Sequence, residues 1–203
     1  MTEEPNLRRV ATQGRIAGAC GITSQLVVFT SLLVVVSSSP WFSWTKNYVS
    51  VLGIRGSATM LFNWGLILAG LFSLIFAIGL RKRILLSRLG QLGAVSLILG
   101  SIAFSGIGIF PRSIDLPHDL ASVAFFVFII LALLLVGVAA INASRVGLGL
   151  LSLTAGALSL VFWLVPWPWS GGAIPQLLLC LPWSLWTIVF GIVLLVRASP
   201  IDV

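Results

Sequence analysis

Asp115, His118 and Asp119 stand at i, i+3 and i+4 in a chain with few charged residues. On a helix this spacing places all three on one face, where two carboxylates and an imidazole form half of a divalent-metal site. The same residues also suit a plain helix start. Asp115 fits an N-cap, Pro117 is tolerated in the first turn, and Asp119 complements the positive end of the helix dipole. His118 is the single histidine, and a zinc site with one His, two Asp and no nearby Cys is short of ligands. No metal, cofactor or catalytic residue is therefore assigned. A hydrogen bond from His118 to Asn47, Asn63 or a loop backbone is expected ahead of metal binding. No serine sits in a Gly-x-Ser-x-Gly elbow, and Gly171-Gly172 lacks the following Lys-Ser/Thr of a phosphate loop.

Other polar residues fall near these in the expected topology. Asn47, Ser50 and Arg55 lie between the first two apolar segments, Asn63 opens the second, and Arg112 precedes Asp115. Asn47, Ser50, Arg55, Asn63, Arg112, Asp115, His118 and Asp119 form the candidate ligand-binding set. The two arginines would contact an anionic group, with the forked geometry that suits phosphate. The amides and His118 would orient it.

The elements that position this set are membrane helices. The chain is 59% hydrophobic and 8% charged, outside the range of soluble globular domains. Apolar stretches at 16–37, 60–80, 89–110, 119–141, 147–165 and 176–196 each approach the roughly 20 residues a bilayer needs. Their continuous apolarity excludes the two-residue alternation of barrel strands. The expected fold class is an all-α integral membrane protein of six transmembrane helices arranged as three outward hairpins. A cytoplasmic segment at 1–15, a bundle at 16–197 and a tail at 198–203 would complete it. The three hairpins are compatible with an internal triplication and equally with six spans obeying the charge rule.

Charge and aromatics orient the bundle. Arg8, Arg9, Arg15, Arg81, Lys82, Arg83, Arg88, Arg145 and Arg197 flank alternate connections and the termini, leaving Lys46, Arg55 and Arg112 for the other side. All eight tryptophans lie toward that second side in sequence. Cations are retained on the cytoplasmic side and Trp favours the headgroup level. Both termini are thus expected in the cytoplasm, in a multi-pass protein of the cell membrane whose first span acts as its insertion signal. The net charge of +7 belongs to this pattern. No basic stripe interleaved with aromatics appears, so no nucleic-acid partner is expected.

Ionisable groups are missing from the middle of the expected spans, which argues against an ion-coupled transporter. Gln25 and Gln91 read as interhelical hydrogen bonders. Small residues at helical spacing (Gly14, Gly18 and Gly21; Gly65, Ala69, Ser73 and Ala77; Ser96 and Gly100; Ser152, Gly156 and Ser159) predict close packing inside the bundle, with homo-oligomerisation as the minor alternative. Cys20 and Cys180 should differ in depth by roughly 15 Å, too far for a disulfide, and are expected as buried thiols.

Asn47, Ser50, Leu52 and Gly53, then Asn63 and Gly65, then Phe110-Pro111 and His118 together resemble a family of six-span prokaryotic membrane proteins. That family, common in archaea, is known as a membrane domain of unknown function. Its pattern is Asn-x-x-Ser-[acid]-Leu-Gly, an Asn at the second span, Phe-Pro closing the third and a His near the fourth. Val51 stands where the pattern carries the acid, so a carboxylate that could partner His118 is missing. The resemblance implies the six-span fold and an outer-facing polar cluster, and it supplies no reaction. The sequence therefore favours a non-enzymatic membrane protein that binds a lipid headgroup or other polar ligand in the outer leaflet. The alternatives are an enzyme acting on lipid-linked substrates, with His118 as acid/base and Asp115 or Asp119 as partner, and an accessory subunit of a larger membrane complex. Membrane lipids, and a membrane-protein partner in the last case, are the expected partners.

Overall fold

The computed structural model describes residues 3–83 and 87–196, with side chains over 12–81 and 87–196. The side chains of Arg8, Arg9, Lys82 and Arg83, together with Arg197 and the 198–203 tail, lie outside the described residues. Six α-helices account for nearly all of the described chain: α1 (Glu3–Ser37), α2 (Thr59–Arg83), α3 (Arg88–Ile109), α4 (Asp115–Asn142), α5 (Val146–Leu164) and α6 (Ala173–Val196). A 3₁₀ turn, Val49–Gly53, lies in the first connection, and the described residues contain no strand. All six helices include a stretch long and apolar enough to cross a membrane. The apolar part of α1 starts at Thr12, but its helix runs back to Glu3.

Each helix packs against its sequence neighbours, and α6 closes on α1, giving a ring of six. Large apolar side chains such as Leu26, Met60, Leu116, Leu164 and Leu185 are exposed on its outside. A water-facing surface rarely carries so much apolar area; an acyl-chain environment accepts it. Apolar burial gives little drive for helices to associate within lipid, so close van der Waals contact and interhelical hydrogen bonds hold the ring. A Cβ at Gly18 would strike the Gly191 carbonyl, and one at Gly70 would strike Ser105. Ser24 donates to the Ala69 carbonyl (2.8 Å), Ser105 to the Ile67 carbonyl (3.2 Å) and Ser159 to the Leu179 carbonyl (2.9 Å). Ser73 and Ser101 share a 3.0 Å hydrogen bond between α2 and α3. The small-residue stripes thus pack within the chain, as their spacing predicts.

Several local expectations change. Gln91 does bond across helices, accepting from Arg81 Nε at 2.6 Å. Among the described residues, Gln25 reaches its neighbour Ser24, at 3.4 Å, and its Oε1 has no partner. Cys20 and Cys180 are free thiols, as their depth difference requires, but half-buried rather than buried. Trp183 and Trp186 are not interfacial: α6 turns both inward, leaving them 2% and 0% exposed. The aromatic-belt reading suits Trp64 and Trp163, which are exposed.

Candidate functional site

The first, third and fifth connections meet at one end of the ring. Gly171 and Ala173 donate backbone N–H groups to the Thr45 and Asn47 carbonyls (both 2.9 Å). A Cβ at Gly171 would collide with the Asn47 backbone, so the fifth connection needs glycine to approach the first this closely. Gln176, in the first turn of α6, accepts from the Val49 N–H at 2.9 Å and anchors the 3₁₀ turn. Asn63 Nδ2 donates to the Gly53 carbonyl at 3.0 Å and fixes the other end of that turn to α2. These braces suspend Ser50 over the ring's interior.

Beneath them lies a cleft of about 110 Å³, lined from every helix except α5 and from the 3₁₀ turn. Phe29, Phe62, Phe104, Phe125, Phe126 and Trp183 supply aromatic wall, and Ser50, His118, Ser122, Gln176 and Ser184 supply polar groups. Phe104 and Phe125 stack at 4.8 Å, with Trp183 edge-on to both at 5.5 and 5.4 Å. Such offset and edge-to-face contacts favour a rigid wall. A cavity of about 150 Å³ in another protein holds benzene, so this cleft suits one small ring or a short branched chain.

His118 is 3% exposed and belongs to this wall. Its Nδ1 lies 2.8 Å from the Phe110 carbonyl oxygen. Pro111 disfavours helical geometry at the residue before it, and Phe110 leaves the helix with φ −108° and ψ 86°. Its carbonyl is thereby released from the helical ladder to meet His118. A carbonyl only accepts, so Nδ1 carries a proton in this contact, and the contact holds the ring in place beside the aromatic cleft.

The rest of the candidate set separates from it. Asp115 and Asp119 are exposed while His118 is buried, so the i, i+3, i+4 spacing does not converge on a site. Among the described residues no group of His, Cys, Asp or Glu is arranged to hold a metal. At about 100° per residue His118 lies at one edge of that face, with Asp115 at its centre and Asp119 at the other edge; α4 turns the His118 edge to the ring and both carboxylates outward. Asp115 lies in the first turn of α4 rather than at the N-cap, which is Ile114. Arg112 pairs with Asp119 at 2.8 Å, both partly exposed, and lies 5.9 Å from the Tyr48 ring centre. Arg55 stacks over Trp41 at 4.5 Å. Asn47 Oδ1 accepts from the Ser43 N–H at 2.8 Å and holds the first connection in shape. Of the eight candidates, Ser50 and His118 line the cleft. Sequence reading missed the aromatic wall and Ser122, although Ser122 lies one helical turn from His118 and Trp183 stood among apolar neighbours.

Six apolar helices in a closed ring around a cleft define a multi-pass α-helical membrane protein with an internal pocket. Residues 22–193 match the family described as "Protein of unknown function (DUF998)". The chain belongs to that family. No curated protein and no solved structure matches it.

Proposed function

We propose that the protein is an intramembrane binding protein for an uncharged amphiphile, taking a hydroxyl-bearing ring or short chain into the cleft. The observation that carries this reading is His118, whose Nδ1 is engaged by the Phe110 carbonyl within a mostly apolar, aromatic wall. In the neutral tautomer with Nδ1 protonated, Nε2 accepts a hydrogen bond from the ligand's hydroxyl, and the phenyl and indole faces take its apolar body. Apolar walls with a few placed polar groups are the usual composition of small-molecule sites.

Charge complementarity argues for a neutral ligand. Arg55 and Arg112 lie outside the lining, engaged by Trp41 and Asp119, and suit the phosphates of surrounding lipids instead. The cation distribution in the sequence supports placing the cleft in the outer leaflet, with both termini cytoplasmic.

Native mass spectrometry from lipid nanodiscs tests the reading. Wild type should retain a small molecule of defined mass, and His118→Ala should reduce its occupancy about tenfold, the equivalent of one hydrogen bond of about 1.4 kcal/mol. Ser122→Leu, which fills the cleft without touching the Phe110 contact, should displace it as well. A bare polypeptide in wild type, a partner chain in its place, or equal occupancy in all three proteins would overturn the proposal.

A further inference from the structure

Among the described residues, most buried polar side chains of the ring have hydrogen-bond partners. Ser24, Ser105, Ser159 and Ser184 donate to carbonyls, Ser73 pairs with Ser101, and Trp186 Nε1 donates to Ser152 Oγ at 2.7 Å. The exceptions among the described residues are Ser50 Oγ, in the lining of the cleft, and three further atoms of α1 and α6: Trp183 Nε1, Thr187 Oγ1 and Gln25 Oε1, none with a hydrogen-bond partner there. Their side chains are 2%, 0% and 1% exposed. In a hydrocarbon environment an unsatisfied polar atom is costly, so these three require an explanation.

Sequence spacing and the packing register of α1 on α6 put them at one level of the ring. Trp183 lines the cleft, and Thr187 stands at i+4 from it, one turn further along the same face of α6. Gln25 stands three and four residues before Val28 and Phe29, the cleft-lining residues of α1. Gly18 and Ile22 of α1 meet Gly191 of α6, and Gly18 also meets Leu194. This antiparallel register sets Gln25 at the level of the Ser184–Thr187 turn. Both helices therefore carry these buried residues at the level just beyond the Trp183 and Ser184 lining of the cleft.

We propose that these three residues form a mid-membrane subsite for a hydroxyl oxygen, continuous with the cleft. Indole N–H only donates and the amide oxygen only accepts. One atom satisfies both if it accepts from Trp183 and donates to Gln25, which a hydroxyl oxygen does and a carbonyl oxygen does not. Thr187 serves on either side. The oxygen comes from a second hydroxyl on the bound amphiphile or from a resident water. The first source rests on the function proposed above; the subsite itself does not.

Exchange of the indole proton tests it. In ¹⁵N-Trp-labelled full-length protein in nanodiscs, Trp183→Phe and Trp186→Phe identify the two indole signals. After lipid stripping and transfer to D₂O, the Trp183 proton should exchange at least about 100-fold faster than that of Trp186, since hydration exposes one and the Ser152 bond protects the other. Rapid exchange before stripping identifies resident water; exchange that accelerates only after stripping identifies a ligand hydroxyl. The near-isosteric Thr187→Val should lower the melting temperature, because a hydrogen-bonded oxygen is lost. Equal protection of both indoles after stripping, or a rise in melting temperature with Thr187→Val, would show a dry region and overturn the subsite. Rapid Trp183 exchange in a protein that retains no ligand would sink the proposed function and leave the subsite standing.

Discussion

Trp183 and Trp186 are three residues apart on one helix, both buried, and they occupy two different kinds of interior. Trp186 stacks on Phe190 at 4.4 Å, meets Phe76 edge-on at 6.0 Å and spends its N–H on Ser152. Trp183 packs against Phe104 and Phe125, borders the cleft and leaves its N–H without a partner. Pro182, inside α6 immediately before Trp183, cannot donate to the helical ladder. The contrast teaches that the ring is closed around Trp186 and interrupted around Trp183. The closed region maintains the fold, and the interrupted one is where a ligand gains most by entering.

The comparison breaks most visibly at Trp186. Trp186→Ala should cost about 3–5 kcal/mol and abolish cooperative thermal unfolding or lower its midpoint sharply, as followed by circular dichroism in detergent. Trp183→Ala should instead enlarge the cleft and change which small molecules co-purify. Equal loss of stability without a change in bound mass would erase the distinction. A smaller effect is expected at the α1–α6 crossing, where Gly18→Val drives a side chain into the Gly191 carbonyl. Overpacking of this kind costs about 1–3 kcal/mol, and an unchanged melting temperature would show that the two helices separate freely. The smallest effect belongs to the surface. Arg112→Ala removes a partly exposed ion pair worth about 0–1 kcal/mol and should leave melting and cleft occupancy near wild type. A loss of bound ligand in that variant would return Arg112 to the site.

Much of the fold is legible in the sequence. Six apolar stretches of bilayer length, the small-residue stripes and the proline that ends α3 each act through local physics: the length of a span, the reach of a Cβ, the steric restriction before proline. The candidate site was legible only in part. His118 stood out as a lone imidazole in a short polar connection, and its expected bond to a loop backbone is the one found, at Phe110. Asp115 and Asp119 stood out for the same reason, yet residue type and spacing do not show which part of a helix face turns inward. Trp183 and Trp186 misled as interfacial residues because α6 alone does not reveal that it presents them to the ring.

Sequence by itself determined that this chain spans a membrane six times as helices, since hydrocarbon leaves the backbone no solvent and composition alone supplies the required lengths. Tertiary structure decided where an interior would open and which polar groups would face it. Six helices whose outer faces are all apolar can rotate about their axes with little penalty from lipid. Their rotation is fixed only when glycines, serines and aromatic rings of different helices meet, and that meeting sets His118 beside the cleft and its neighbouring carboxylates outside.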